Sequence, residues 1–140
     1  TQGHYLWPGT PEQLQRLGFA TPAETTVLQV NKRELRARIR DERSVVFDFA
    51  SLCEQATAVI DYLELIQRFE HWTLEGLPDL EDCTIAAQQR FINLVDVLYD
   101  RDKQLLLIGT RPLAENLGGS VADLARTRSR LGQLQQVGPE

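Results

Sequence analysis

Residues 88–109, QQRFINLVDVLYDRDKQLLLIG, decide the fold class of this 140-residue chain. Apolar residues recur at helical spacing through Phe91, Leu94, Val95 and Leu98. A charged turn follows, and an almost wholly apolar run then begins at Leu105. A helix that leads at once into a strand with two apolar faces is typical of a parallel α/β sheet. Because such sheets often bind nucleotides at their strand ends, the stretch raises the question of whether this chain binds one.

Two further strands and a helix are predicted upstream. SVVFDFA (residues 44–50) and HWTLEGL (71–77) are short apolar runs, and TAVIDYLELIQRF (57–69) between them has helical spacing. Before these, TTVLQV and RELRARIR flank Asn31-Lys32, which predicts a β-hairpin over residues 25–38. The apolar face of the helix is predicted to contain Val59, Tyr62, Leu63, Ile66 and Phe69.

The order of these elements predicts an α/β fold. A β-hairpin is followed by a β-α-β-α-β parallel-sheet unit with right-handed crossovers and by a C-terminal helix over residues 121–136. We divide the chain into an N-terminal extension with the hairpin, residues 1–43, and an α/β domain, residues 44–140. The first 24 residues are rich in Pro and Gly, and only residues 11–17 are predicted there as a helix.

The composition of the chain limits which partners it can bind and in which cellular compartment we expect it. Apolar residues make up 42% and charged residues 25% of the chain, which is typical of a folded globular domain. The net charge of −5 argues against nucleic acid as the main partner. Two cysteines fit neither a disulfide framework nor a zinc site, and no run is long enough to span a membrane, so we expect a reduced, cytoplasmic setting. The absence of Met predicts a processed product or a piece of a longer protein.

Motifs for phosphate binding are missing from the sequence. Neither G-x-x-x-x-G-K-[ST] nor G-x-G-x-x-G occurs, and Gly118-Gly119 follows a weak helix rather than a strand, as a loop would. We therefore predict that this chain alone holds no cofactor, no metal and no catalytic residue of its own.

The C-terminal helix carries the candidate phosphate-sensing residues. Arg126 and Arg130 are four positions apart and project from one helix face, whereas Arg128 lies off that face. Two planar guanidinium groups on one ridge can clamp a phosphate or a carboxylate. The alternative is a solvated basic face paired with acidic neighbours.

Two acidic residues in the predicted strands are weaker candidates. Asp48 lies in the first strand of the parallel unit and Glu75 in the second. Carboxylates at the ends of parallel strands hold metals or activate water in many enzymes, which would make this chain a small hydrolase. The alternative is that each points off a sheet edge without a role.

Four segments in order resemble the C-terminal part of the ZapE-like ATPases. They are FDFASLC, DYLELIQRF, QRFINLVDVLYDRDKQLLLIG and RTRSRL. Within them, residues 90–92 resemble the RFI element of the family, residues 98–100 its LYD element, and residues 126–131 its R-x-x-SRL helix. The chain departs from the family pattern at Glu70, where a His is usual, at Gln89, and at Gln133-Leu134.

The resemblance implies a P-loop ATPase that binds ATP and Mg²⁺ through Walker motifs upstream of this chain. This chain would then complete the ATPase body, with Arg126 and Arg130 as candidates for sensing the γ-phosphate. Bacterial members are linked to the division ring built by FtsZ, and mitochondrial AFG-type relatives to protein quality control. The expected partners are thus the upstream ATPase portion and, in bacteria, FtsZ. A rival interpretation is a stand-alone interaction module without catalytic activity, which docks a protein through the hairpin or a Trp-bearing surface.

Overall fold

A computed structural model describes residues 3–19, 24–119 and 121–139 of the chain. The described residues form one seven-stranded sheet in the order β2-β3-β4-β5-β6-β1-β7. The strands are β1 (Gly3–Leu6), β2 (Thr25–Val30), β3 (Arg33–Asp41), β4 (Ser44–Asp48), β5 (His71–Leu77), β6 (Gln104–Gly109) and β7 (Gln135–Val137). The helices are α1 (Pro11–Arg16), α2 (Phe49–Cys53), α3 (Val59–Arg68), α4 (Ile85–Asp100), α5 (Leu113–Asn116) and α6 (Leu124–Leu131).

The β2–β3 hairpin lies at one edge of the sheet and confirms the predicted hairpin. Val30 and Arg33 close a two-residue turn in which Asn31 has a φ of 55°. Asn tolerates this left-handed conformation better than most residues, which is why a tight turn forms here. β3 continues into β4, again antiparallel, and a bulge between Ile39 and Asp41 shifts the register.

From β4 onward every strand pair is parallel, as the α/β prediction requires. α2 and α3 connect β4 to β5, and α4 connects β5 to β6. Thr84 begins α4 by accepting a hydrogen bond from the amide of Ala87. In β6, the residues from Leu105 to Gly109 are all buried, as expected for a strand covered on both faces. The predicted β-α-β-α-β unit is confirmed.

Two short strands were not predicted. β1 lies between β6 and β7 and is parallel to both. β7 occupies residues 135–137, so the C-terminal helix ends at Leu131 and not near residue 136. The sheet therefore runs through both predicted segments, and the boundary after residue 43 stays a prediction.

The two faces of the sheet are covered unequally. Helices α2 to α6 pack on one face around the main core, which includes Tyr5, Phe47, Trp72 and Leu107. On the other face, Leu14 and Leu17 of the α1 region pack with Phe19 over β1 and β6. Arg36, Arg38 and Arg40 of β3 alternate with the core-facing residues of that strand and so project on this second face.

The buried face of α3 differs from the predicted one. Tyr62, Leu65, Ile66 and Phe69 are buried, as is the carboxylate residue Asp61. The predicted face was wrong at two residues, because Val59 and Leu63 are 40% and 36% exposed. No helix in the described ranges has both the length and the apolar character needed to cross a membrane.

Candidate functional site

The structure brings the two candidate arginines of α6 together on one carboxylate. Arg126 donates to both oxygens of Asp96 on α4, with Nη2–Oδ2 at 2.8 Å and Nε–Oδ1 at 3.3 Å. Arg130 donates from Nη1 to Oδ1 of the same carboxylate at 2.8 Å. The i, i+4 spacing of the arginines thus lets both reach one carboxylate. This is the pairing with acidic neighbours that the alternative interpretation describes, and phosphate sensing stays a prediction.

Further groups balance the charge of this arginine cluster. Asp123 lies 3.2 Å from Nη1 of Arg126, and Asp100 lies 3.8 Å from Nη2 of Arg130. The Arg130 guanidinium also lies 5.7 Å from the centre of the Tyr99 ring, and the Tyr99 hydroxyl donates to the Arg130 carbonyl oxygen. The hydrogen bonds that Arg126 donates to Asp96 raise the pKa of the Arg126 guanidinium. The cluster therefore holds α6 against α4, and a phosphate would reach both arginines only by displacing Asp96.

Arg128 has a separate role, in line with its predicted position off the shared face. Its Nε donates to the carbonyl oxygen of Leu117 at 2.8 Å, and Nη2 donates to that of Gly119 at 2.7 Å. These bonds fix the segment that follows α5 against α6. The glycines at 118–119 thus belong to a connection between helices, as predicted.

Asp48 and Glu75 are brought together by the parallel register of β4 and β5. Asp48 is paired in register with Glu75, and Arg38 of β3 forms an ion pair with Glu75. Burial raises the pKa of Glu75, and a hydrogen bond with Asp48 raises it further, while Arg38 opposes both effects. The two carboxyl groups line a cleft of about 320 Å³ that also contains Thr25 and Arg36. Two neighbouring carboxyl groups can serve as an acid–base pair, and the use of Asp48 and Glu75 in a hydrolase stays a prediction.

The histidines and cysteines lie on opposite sides of the sheet. His4 and His71 line a cavity of about 580 Å³ with Arg40 at the amino ends of the parallel strands. Cys53 is a buried free thiol in the helix-side core, where burial raises its pKa, and Cys83 packs against the same core. The sheet therefore separates the thiols from both imidazoles. Among the described residues, no group of three or more His, Cys, Asp and Glu could hold a metal ion.

A buried polar network at the carboxyl ends of β1 and β6 was missed by sequence reasoning. Asn116 has no exposed surface, and its Oδ1 accepts from the Tyr5 hydroxyl at 2.8 Å and from the Arg111 amide at 3.0 Å. Its Nδ2 donates to Asp79 at 2.7 Å. A Cβ on Gly109 would lie 2.0 Å from the Tyr5 hydroxyl oxygen, so glycine is required there. The sequence gives little indication of this network, because Tyr5, Asp79 and Asn116 are far apart along the chain.

Residues 1–138 match the AFG1-like ATPase family. The chain belongs to this family. Cell division protein ZapE of Escherichia coli K12 is 28% identical over 146 aligned residues, which cover 96% of this chain and 39% of that protein. Lactation elevated protein 1 homolog B of Danio rerio is 29% identical over 110 aligned residues, which cover 77% of this chain and 22% of that protein.

The chain thus spans well under half the length of these curated relatives. One solved structure, described as the crystal structure of a DNA replication initiation factor, has a similar fold with a TM-score of 0.53. The match covers 99% of this chain and 40% of that chain at 13% sequence identity, so it concerns the fold alone.

Proposed function

We propose that this AFG1-like chain acts as the C-terminal portion of a larger ATPase and completes an ATP-hydrolysing body. Family membership supports an ATPase context, and the chain aligns with only 39% of the length of ZapE. The sequence carries no phosphate-loop motif, so ATP and Mg²⁺ would bind mainly to Walker motifs in another part of the same protein. In this proposal the upstream ATPase portion is the first partner of the chain.

Within that body, Arg126 and Arg130 are proposed to sense the γ-phosphate. The observation that carries this role is that both guanidinium groups reach a single carboxylate, Asp96. A group with several anionic oxygens could take the place of Asp96 and accept hydrogen bonds from both arginines. Arginines placed in this way stabilise the charge that develops during phosphoryl transfer. Exchange of Asp96 for phosphate would also loosen α6 from α4 and so report the nucleotide state.

The cellular setting is proposed from the relatives. A relative named cell division protein ZapE supports a role in bacterial cell division, with FtsZ as a candidate partner in the cytoplasm. A role in protein quality control is the corresponding proposal for a mitochondrial branch of the family.

The test compares the 140-residue chain with the full-length protein in a phosphate-release assay. We expect the isolated chain to release no phosphate from ATP above a buffer blank, and the full-length protein to be active. In the full-length protein, Arg130→Lys and Arg126→Lys should each lower kcat by roughly tenfold or more, since Lys keeps the charge but lacks the planar fork. Arg101→Lys, at an exposed arginine at the C-terminal end of α4, is the matched control and should leave kcat unchanged.

Two results would separate the parts of this proposal. Hydrolysis by the highly purified isolated chain would contradict the need for an upstream phosphate loop. If the two lysine variants lower only the thermal midpoint and leave kcat at the control value, the arginines serve to hold α6 and do not sense phosphate.

A further inference from the structure

The outer edge of strand β2 is unpaired, and the composition of the strand is unusual for an edge. β2 is the first strand in the sheet order, and within the described part of the chain β3 is the only strand that pairs with it. Its sequence, TTVLQV, has four β-branched residues, Thr25, Thr26, Val27 and Val30, and it contains no charge and no proline. Natural edge strands are usually protected by lysine, proline or a bulge, because open edges pair with other chains. β2 has none of these protections.

The hairpin geometry determines which backbone groups point outward. Val30 and Arg33 form the closing pair of a two-residue turn, so their N–H and C=O groups bond to each other. Alternation then directs the backbone groups of Gln29, Val27 and Thr25 away from β3. Arg68 of α3 confirms this direction, since its Nη2 donates to the Gln29 carbonyl oxygen at 2.7 Å. The outward N–H and C=O groups of Val27 lie at the centre of the edge, and the Val27 side chain is 52% exposed.

Basic residues are concentrated next to this edge, although Arg33 is paired with Asp61 and Arg38 with Glu75. Residues 32–40, KRELRARIR, contain five of the 15 Lys and Arg residues and one acidic residue, although the net charge of the chain is −5. Lys32 and Arg36 have no ion-pair partner among the described residues. Arg36 is paired in register with Val27, so its guanidinium lies on the exposed face beside the centre of the open edge. Arg68 flanks the same edge on the helix side.

We propose that the β2 edge binds an extended acidic segment of a partner protein by strand addition. The partner backbone would pair with the outward groups of Val27 and Thr25, and its acidic side chains would lie beside Arg36. A second copy of this chain fits less well, because antiparallel pairing of two β2 strands would bring two basic hairpins together. This binding does not depend on ATP or on the arginine cluster of α6.

The test measures binding of a fluorescein-labelled peptide that alternates Glu and Thr to the purified protein by fluorescence anisotropy. We expect saturable binding that weakens as salt is raised, because the contact is partly electrostatic. The matched peptide that alternates Lys and Thr should bind at least roughly tenfold more weakly, since it presents the wrong charge to Arg36.

Variants distinguish strand addition from simple charge attraction. Val27→Pro removes the central outward N–H and should weaken binding roughly tenfold, whereas Val27→Thr keeps the N–H and should bind like the parent protein. Arg36→Glu, at an exposed position that leaves the edge backbone intact, should weaken binding to a similar extent. Circular dichroism and the urea midpoint establish that each variant is folded.

Three outcomes would overturn the proposal. The first is equal binding of the acidic and basic peptides. The second is binding of the acidic peptide that is unaffected by both Val27→Pro and Arg36→Glu. The third is a dimer in sedimentation analysis that Val27→Pro abolishes, since a second copy of the chain would then be the occupant of the edge.

Discussion

At the scale of single residues, Glu75 links stability to pH. Burial raises its folded-state pKa above the value of about 4.3 for an unfolded glutamate. Between these two pKa values the folded protein binds more protons at Glu75 than the unfolded chain does. The contribution of Glu75 to stability is therefore present at low pH and is lost as pH rises through the folded-state pKa.

The corresponding prediction concerns Glu75→Gln, which cannot ionise. The free energy of unfolding of the variant minus that of the parent protein should increase as pH rises from about 4.3 towards neutrality. Urea unfolding at a series of pH values measures this difference. A difference that is constant or falls with pH would mean that the ion pair with Arg38 outweighs burial at this site.

Asp48 and Glu75 also show what the sequence reveals of a site. Both were singled out because carboxylates at the ends of parallel strands hold metals or activate water in many enzymes. The register of β4 and β5 places the two side by side, which the sequence analysis did not predict. Arg38 was not foreseen as the partner of Glu75, because it comes from an antiparallel strand whose register includes a bulge. Local patterns predict which strand a residue occupies, whereas cross-strand partners depend on register.

At the scale of elements, α4 and α6 are held together by an ion-pair contact. Sequence reasoning predicted the two arginines on α6 but not their acceptor on α4. The spacing of Arg126 and Arg130 showed that they share a face of α6. Asp96 lies on the polar side of α4, but a polar helix face gives no indication of which helix will pack beside it. The exposed residues Val59 and Leu63 of α3 illustrate the same limit. A wide apolar arc along a helix does not specify which part of the arc meets the sheet.

The prediction at this scale is that Asp96 controls the local stability of α6. Asp96→Ala removes the shared acceptor of both arginines and leaves two like charges near each other. Amides of α6 should then exchange with deuterium roughly tenfold faster, while those of α4 remain protected. Asp100→Ala is the matched control and should have little effect, since Asp100 is 68% exposed and lies 3.8 Å from Arg130. Equal protection of α6 in both variants would show that the helix is held without Asp96, by the apolar packing of Leu124 and Leu131 and by its other hydrogen bonds.

At the scale of the whole molecule, the sheet depends on a strand from the very beginning of the described chain. β1 has only four residues, and its partners in β6 lie about one hundred positions away in the sequence. A short run that starts with Gly3 and His4 carries little strand signal, and only the completed sheet shows where it belongs. The consecutive β4–β5–β6 unit was predictable because each strand follows its neighbour through a recognisable helix.

The place of β1 inside the sheet predicts the outcome of two matched truncations. A protein that starts at Glu24 lacks β1 and α1, and with them the fully buried side chains of Tyr5 and Leu6. It should lose cooperative urea unfolding, because Asn116 also loses its hydrogen bond from Tyr5 in the core. A protein that ends at Leu134 lacks only the edge strand β7 and should still unfold in a single transition. Cooperative unfolding of the first truncation would mean that residues 1–23 are dispensable for folding. Its loss would instead mean that residues 1–23 and the rest of the sheet fold as one unit.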